Sequence, residues 1–144
     1  MSAIEAQPLM RVLVVDDETE IRTFVTRVLQ DAGFVIDQCA SGAEALKRID
    51  DGERFGLVVT DVRMPSMSGP QFIEKLTRAD RDVKVLYLTG YNEQLFREKS
   101  SLWADEAYLD KPCTVKGLLE AVSLLVYGHL APADRPSVSH GWLQ

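Results

Sequence analysis

Three short apolar runs each end in residues that can hold charge or donate a hydroxyl. Val12-Leu13-Val14-Val15 runs into Asp16-Asp17, Leu57-Val58-Val59-Thr60 into Asp61, and Val83-Lys84-Val85-Leu86-Tyr87-Leu88 into Thr89-Gly90. Lys111 stands just beyond a fourth, shorter run, Ala107-Tyr108-Leu109. In an open parallel sheet such ends share one rim, where α/β folds place ligands and chemistry. Two carboxylates about 4 Å apart on that rim repel by roughly 4 kcal/mol at an effective dielectric near 20. A hard divalent cation offsets this repulsion, and magnesium fits best, because it accepts a few carboxylates and keeps waters and phosphate oxygens. Lys111 adds a second positive charge and Thr89 a hydroxyl. Such a set suits phosphoryl transfer, whose catalysis is mostly positioning and charge neutralisation. Asp61 is the candidate nucleophile, since a carboxylate can take a phosphoryl group as an acyl phosphate.

The elements that must position these groups alternate between short apolar runs and helical stripes, the pattern of repeated strand-helix units with a parallel sheet. Ile21, Phe24, Val25, Val28 and Leu29 form one helical face between Asp17-Glu18 and Gly33, and Val35-Ile36 opens a second strand. Ser41 with Glu44, and Ser68 with Gln71, read as capping boxes that start two further helices, the first ending near Asp51-Gly52 and the second carrying Pro70 in its first turn. The stretch from Asn92 to Trp103 is expected to be a helix with a narrow apolar stripe of Leu95, Phe96, Lys99 and Leu102. Thr114 should cap a last helix with Val115, Leu118, Leu119, Val122, Leu125 and Val126 inward. The order is five strands and five helices.

The chain has 144 residues, enough for one domain with a core. The expected division is an extension over 1–8, a phosphoacceptor domain over 9–128 and a tail over 129–144 rich in Pro, Ser, Ala and Gly. A net charge of −6 and the lack of clustered Lys and Arg with aromatics argue against direct nucleic-acid binding. No apolar stretch approaches membrane-spanning length and no secretory signal pattern opens the chain, so a cytoplasmic location is expected. Cys39 and Cys113 read as packed thiols, and His129 and His140 lack a partner at metal-ligand spacing.

Together the acidic pair Asp16-Asp17, Asp61-Val62-Arg63-Met64-Pro65, Thr89-Gly90 and Tyr108-Leu109-Asp110-Lys111-Pro112 resemble, in that order, the receiver domain of two-component response regulators over Leu9 to Gly128. The resemblance implies a flavodoxin-like fold, a doubly wound five-stranded parallel sheet of order 2-1-3-4-5 flanked by five helices. It implies that Asp61 accepts a phosphoryl group from a histidine kinase or a histidine phosphotransfer protein. Magnesium would be held by Asp16, Asp17, Asp61 and the backbone carbonyl of Arg63, and Lys111 would bind the phosphate. Thr89 and Tyr108 would be the switch pair, altering the surface of the fourth helix, fifth strand and fifth helix, through which a downstream protein or a second copy would bind. The Lys111-Pro112 bond is expected to be cis on the same ground. Arg63 and Tyr91 depart from the family's common small or amide choices and are the candidate modulators of acyl-phosphate lifetime. Met64 to Pro70 and Leu88-Thr89-Gly90-Tyr91 look like the receivers of hybrid sensor kinases.

Two other functions compete. A magnesium-dependent aspartyl-phosphate phosphatase or phosphotransferase would carry Asp-x-Asp after the first strand, as haloacid-dehalogenase-like enzymes do, whereas here the acids are adjacent and the nucleophile follows the third strand. A receiver-like binding module that is never phosphorylated would not need the whole constellation.

Overall fold

Every apolar run becomes a strand. The strands are β1 (Arg11–Val15), β2 (Val35–Cys39), β3 (Leu57–Asp61), β4 (Lys84–Thr89) and β5 (Glu106–Asp110), all parallel in the order β2-β1-β3-β4-β5. This computed structural model describes residues 10–90, 92–99 and 101–128. The expectations for 1–8, for Tyr91, and for 129–144 with His129 and His140 lie outside the described residues.

Both faces of the sheet are buried, so the central strands are near-continuous apolar runs with polar residues at their ends rather than alternating apolar with polar. Val12, Val14, Leu57, Val59, Leu86, Leu88, Ala107 and Leu109 face one core, completed by α1 (Thr19–Asp31) and α5 (Val115–Tyr127). Leu13, Val15, Val58, Val85 and Tyr87 face the other, beneath α2 (Gly42–Asp50), α3 (Gly69–Ala79) and α4 (Asn92–Glu98). Each connection crosses to the next parallel strand through a helix, which fixes all five C-terminal strand ends on one rim.

The Ser68 box forms in full, with the Ser68 hydroxyl accepting from Gln71 N–H and the Gln71 side chain accepting from Ser68 N–H. At Ser41 only half of the expected box forms: the hydroxyl accepts from Glu44 N–H, and Glu44 Oε2 accepts from that hydroxyl at 3.4 Å instead of from Ser41 N–H. Thr114 caps α5 through Gly117 N–H. Two further expectations need correction. The helix expected over Asn92 to Trp103 ends at Glu98, because Glu106 takes up the polar groups that would otherwise extend it. Lys99 pairs with the buried Glu106 carboxylate at 3.0 Å, Trp103 N–H donates to the same carboxylate at 3.1 Å, and the Trp103 carbonyl accepts from Glu106 N–H. Val115 is exposed rather than inward, at the first turn of α5, while Ala121 is buried and replaces it in the inner face.

Gly69 opens α3 where the chain returns to β3. Its N–H donates to the Val62 carbonyl at 2.9 Å, and a Cβ there would collide with the Asp61 carbonyl oxygen. Gly69→Ala is therefore expected to push on the Asp61 backbone and to destabilise the fold by about 2 kcal/mol, in the range of overpacking substitutions. Urea denaturation measures this, and an unchanged midpoint would rule out the steric role.

Candidate functional site

Strand register brings the carboxylates together. Val15 pairs with Thr60, so Asp16, the next residue, stands beside Asp61, and Asp61 pairs in turn with Leu88. Thr89 therefore lies one residue further along the same rim, buried, and its carbonyl accepts from Lys111 N–H at 2.9 Å. Lys111 directly follows β5, and the bond that leads on from it to Pro112 is cis.

Lys111 Nζ lies 3.2 Å from Asp61 Oδ2, 3.3 Å from Asp16 Oδ2 and 3.2 Å from Glu18 Oε1. Asp16 and Asp61 are buried and Glu18 is exposed, so the ammonium bridges two interior carboxylates and one at the mouth. The third acid in this cluster is Glu18 rather than Asp17, which is exposed. Asp16 has turned back to start α1, accepting from Glu18 N–H through Oδ1 at 2.9 Å while Arg22 holds its carbonyl at 2.6 Å. That turn brings the longer Glu18 side chain to Lys111. Adjacent acids ahead of a helix do not reveal from the sequence which of them turns inward; the run Asp16-Asp17-Glu18 was the available signal.

Asp61 Oδ1 accepts from Arg63 N–H at 3.3 Å, which orients the carboxylate. The Arg63 side chain is exposed at the rim, and Tyr108 is half-buried with its ring edge-on to Phe96 at 5.5 Å between centroids. Asp16, Asp61, Thr89 and Lys111 are thus gathered at one rim with Arg63, while Tyr108 sits on the neighbouring face under α4.

Burial pushes the Asp16 carboxyl up to about 6, with repulsion from Asp61 adding to the rise and Glu18 N–H and Lys111 opposing it. Burial also raises Asp61 against the pull of Lys111, with Asp17 adding a small repulsion. Lys111 is held above the ordinary lysine value, because burial disfavours its charge but the attraction of Asp61 and Asp16 outweighs it.

Hard oxygen donors converge here, and the buried Asp16 Oδ2 accepts no hydrogen bond and meets only the Lys111 ammonium at 3.3 Å, so the residues fit a divalent cation. A carboxyl raised to about 6 in the fold, above its unfolded value near 3.9, opposes folding when ionised. Asp16 is thus expected to weaken the cation-free protein above about pH 6 and to relieve it as pH falls toward 4. Protons compete with the cation for the same oxygens, so magnesium should raise the unfolding temperature at pH 7.5 and much less at pH 5. Equal shifts at both pH values would sink this account.

Known proteins are similar to this chain in sequence and in fold. The sensor kinase CckA of Brucella abortus is 36% identical over 112 residues, which cover 77% of this chain and 12% of that protein. The response regulator receiver protein CpdR of the same organism is 28% identical over 118 residues, covering 82% of this chain and 98% of CpdR. Among solved structures, the response regulator TrrA of Thermotoga maritima, crystallised in complex with Mg(2+)-BeF, is 37% identical with a TM-score of 0.71, over 82% of this chain and 100% of that one. The family model of the response regulator receiver domain matches residues 12–123, and on that match, with the strand order and the acidic rim, this chain belongs to the response regulator receiver domain family.

Proposed function

We propose that Asp61 is the phosphoacceptor of this receiver and that its phosphorylation switches protein contacts in a two-component phosphorelay. The observation that carries this reading is the buried Asp61 carboxylate held by Lys111 Nζ at 3.2 Å and oriented by Arg63 N–H, beside Asp16. An Asp61 carboxylate oxygen forms a bond to phosphorus as the P–N bond of a donor phosphohistidine breaks, the electron pair leaving with the imidazole nitrogen. Lys111 Nζ stays on the acquired negative charge, and the Thr89 hydroxyl turns to the phosphoryl oxygens. Asp16, Asp61 and the Arg63 carbonyl, with Asp17 at the rim, would hold magnesium, which would supply charge neutralisation for the transfer. Formation and loss of its own acyl phosphate is the whole of the chemistry.

The donor is a histidine kinase or histidine phosphotransfer protein, as the likeness to a sensor kinase and to a receiver protein supports. Tyr108, under Phe96 of α4, moves inward once Thr89 has turned, and the face of α4, β5 and α5 changes for a downstream protein or a second copy. Arg63 and Tyr91 shield the phosphoryl group from water. Among the described residues no helix is long and apolar enough to cross a membrane, and we place the protein in the cytoplasm. The phosphatase alternative is not favoured, since the acids after β1 are adjacent and the family match is to a receiver.

The test is intact mass after incubation with acetyl phosphate, with and without magnesium. A magnesium-dependent, base-labile adduct of one phosphoryl group supports the reading, and its time course after donor removal measures the shielding. No adduct from acetyl phosphate or from any phosphorylated histidine protein would move the chain to the non-phosphorylated class.

A further inference from the structure

The loop that leaves Asp61 comes back to it. Gly69 donates its N–H to the Val62 carbonyl, and its Cα side is pressed against the Asp61 carbonyl so closely that no Cβ fits. Ser68, the residue before, cannot shift without moving that contact. The Ser68 hydroxyl accepts from Gln71 N–H at 3.2 Å and donates to Glu98 Oε1 at 2.6 Å. Glu98 is the last residue of α4. A hydroxyl donating to a carboxylate makes a charge-assisted bond, shorter and roughly twice as strong as a neutral one.

At the Glu98 end of this bond lies a cavity of about 310 Å³ between α3 and the end of α4, lined by Pro70, Gln71, Ile73, Glu98, Lys99 and Trp103 among others. The C-terminal end of α4 is therefore carried on polar ties, Ser68 to Glu98 and Lys99 to Glu106, with open space beside them. At seven residues, α4 is too short to be stable by itself, and it is held by Leu95, buried in the core, and at its C-terminal end by these ties. Thr89 precedes α4 by three residues, so the Thr89 route enters the helix at its N-terminal end and the Ser68 tie at its C-terminal end.

We propose that the Ser68–Glu98 hydrogen bond is a second line of coupling, which transmits displacement of the Asp61 backbone to the C-terminal end of α4. It makes Ser68 and Glu98 positioning residues for the switch, and it rests on the reading of Asp61 as phosphoacceptor. Displacement of the Asp61 backbone works against a tie that is made in the unphosphorylated protein, so loosening the tie should both free α4 and remove that opposition to phosphorylation. Ser68→Asp separates the tie from the helix cap, because Asp caps a helix as well as Ser does but brings no donor and sets a like charge against Glu98. Adding Glu98→Gln supplies an amide donor to the new carboxylate and should restore the tie.

The experiment measures amide hydrogen exchange over residues 92–99 in the unphosphorylated full chain, and the adduct formed with limiting acetyl phosphate and magnesium. Ser68→Asp should speed exchange and raise adduct formation by about fivefold, the low end of typical coupling, and Ser68→Asp/Glu98→Gln should return both to parent values. Unchanged exchange over 69–79 is the control that α3 keeps its cap. Parent-like exchange at α4 in Ser68→Asp, or faster exchange that Glu98→Gln does not reverse, overturns the tie. Faster exchange with adduct formation unmoved overturns the coupling. A parent that takes up no phosphoryl group overturns the phosphoacceptor reading instead, whatever the exchange of α4 does.

Discussion

Asp61→Asn is expected to abolish the phosphoryl adduct and at the same time to make the cation-free protein more stable. The loss follows from chemistry, since an amide is no nucleophile toward phosphorus at neutral pH and no other carboxylate in the cluster occupies its place at the end of β3. The gain follows from burial. Asp61 is buried beside Asp16, with the exposed Asp17 and Glu18 near the mouth of the site, and burial is the largest influence lifting its proton affinity. Its charge therefore works against the fold at neutral pH, and a neutral isostere removes that penalty while Lys111 retains Asp16 and Glu18. A gain of about 1 kcal/mol is expected, typical when a functional site stores destabilisation. Intact mass and thermal unfolding read the two halves separately. An adduct persisting in the variant would mean that another aspartate is the acceptor. A fall in stability would mean that the Lys111–Asp61 pair outweighs the cost of burying the charge.

Removing Lys111 should reverse the effect on stability while still costing phosphorylation. Lys111→Ala takes away the ammonium that lies within 3.3 Å of three carboxylates, leaving Asp16 and Asp61 facing each other in the interior. Without a cation the variant should unfold at a lower temperature than the parent, and magnesium should recover more of the difference than it adds to the parent, since the ammonium no longer competes for the carboxylates. The rate of phosphorylation from acetyl phosphate should nevertheless fall by about 10²–10³-fold, the cost of deleting one preorganised donor to a developing oxyanion. Magnesium titrations followed by thermal unfolding, with single-turnover adduct formation at saturating magnesium, separate the two roles. A variant that binds magnesium normally and phosphorylates at the parent rate would leave Lys111 only a structural function.

The legible part of this chain is local. Short β-rich runs, a 3.6-residue apolar period, Ser68 with Gln71, and Thr114 each draw on neighbours within about four residues, and the strands and most helices formed where those signals lay. The order of polar residues after the runs sufficed to place Asp16, Asp61, Thr89 and Lys111 on one rim, because parallel strands leave no other edge for them. What the sequence by itself determined is therefore the alternating fold, the family and the carboxylates at the strand ends.

Tertiary structure decided the rest, wherever a contact spans distant parts of the chain. Glu18 instead of Asp17 reaches Lys111, 93 positions away, because the turn made by Asp16 aims it there. Glu106 ends α4 early by drawing Lys99 and Trp103 onto itself, so a helical stripe that continued on paper gave way to a buried ion pair. Ser68 meets Glu98 across 30 positions only once α3 and α4 stand side by side on the same face of the sheet. A carboxylate's partner is chosen by desolvation and distance after packing, and neither is encoded in the residues adjacent to it.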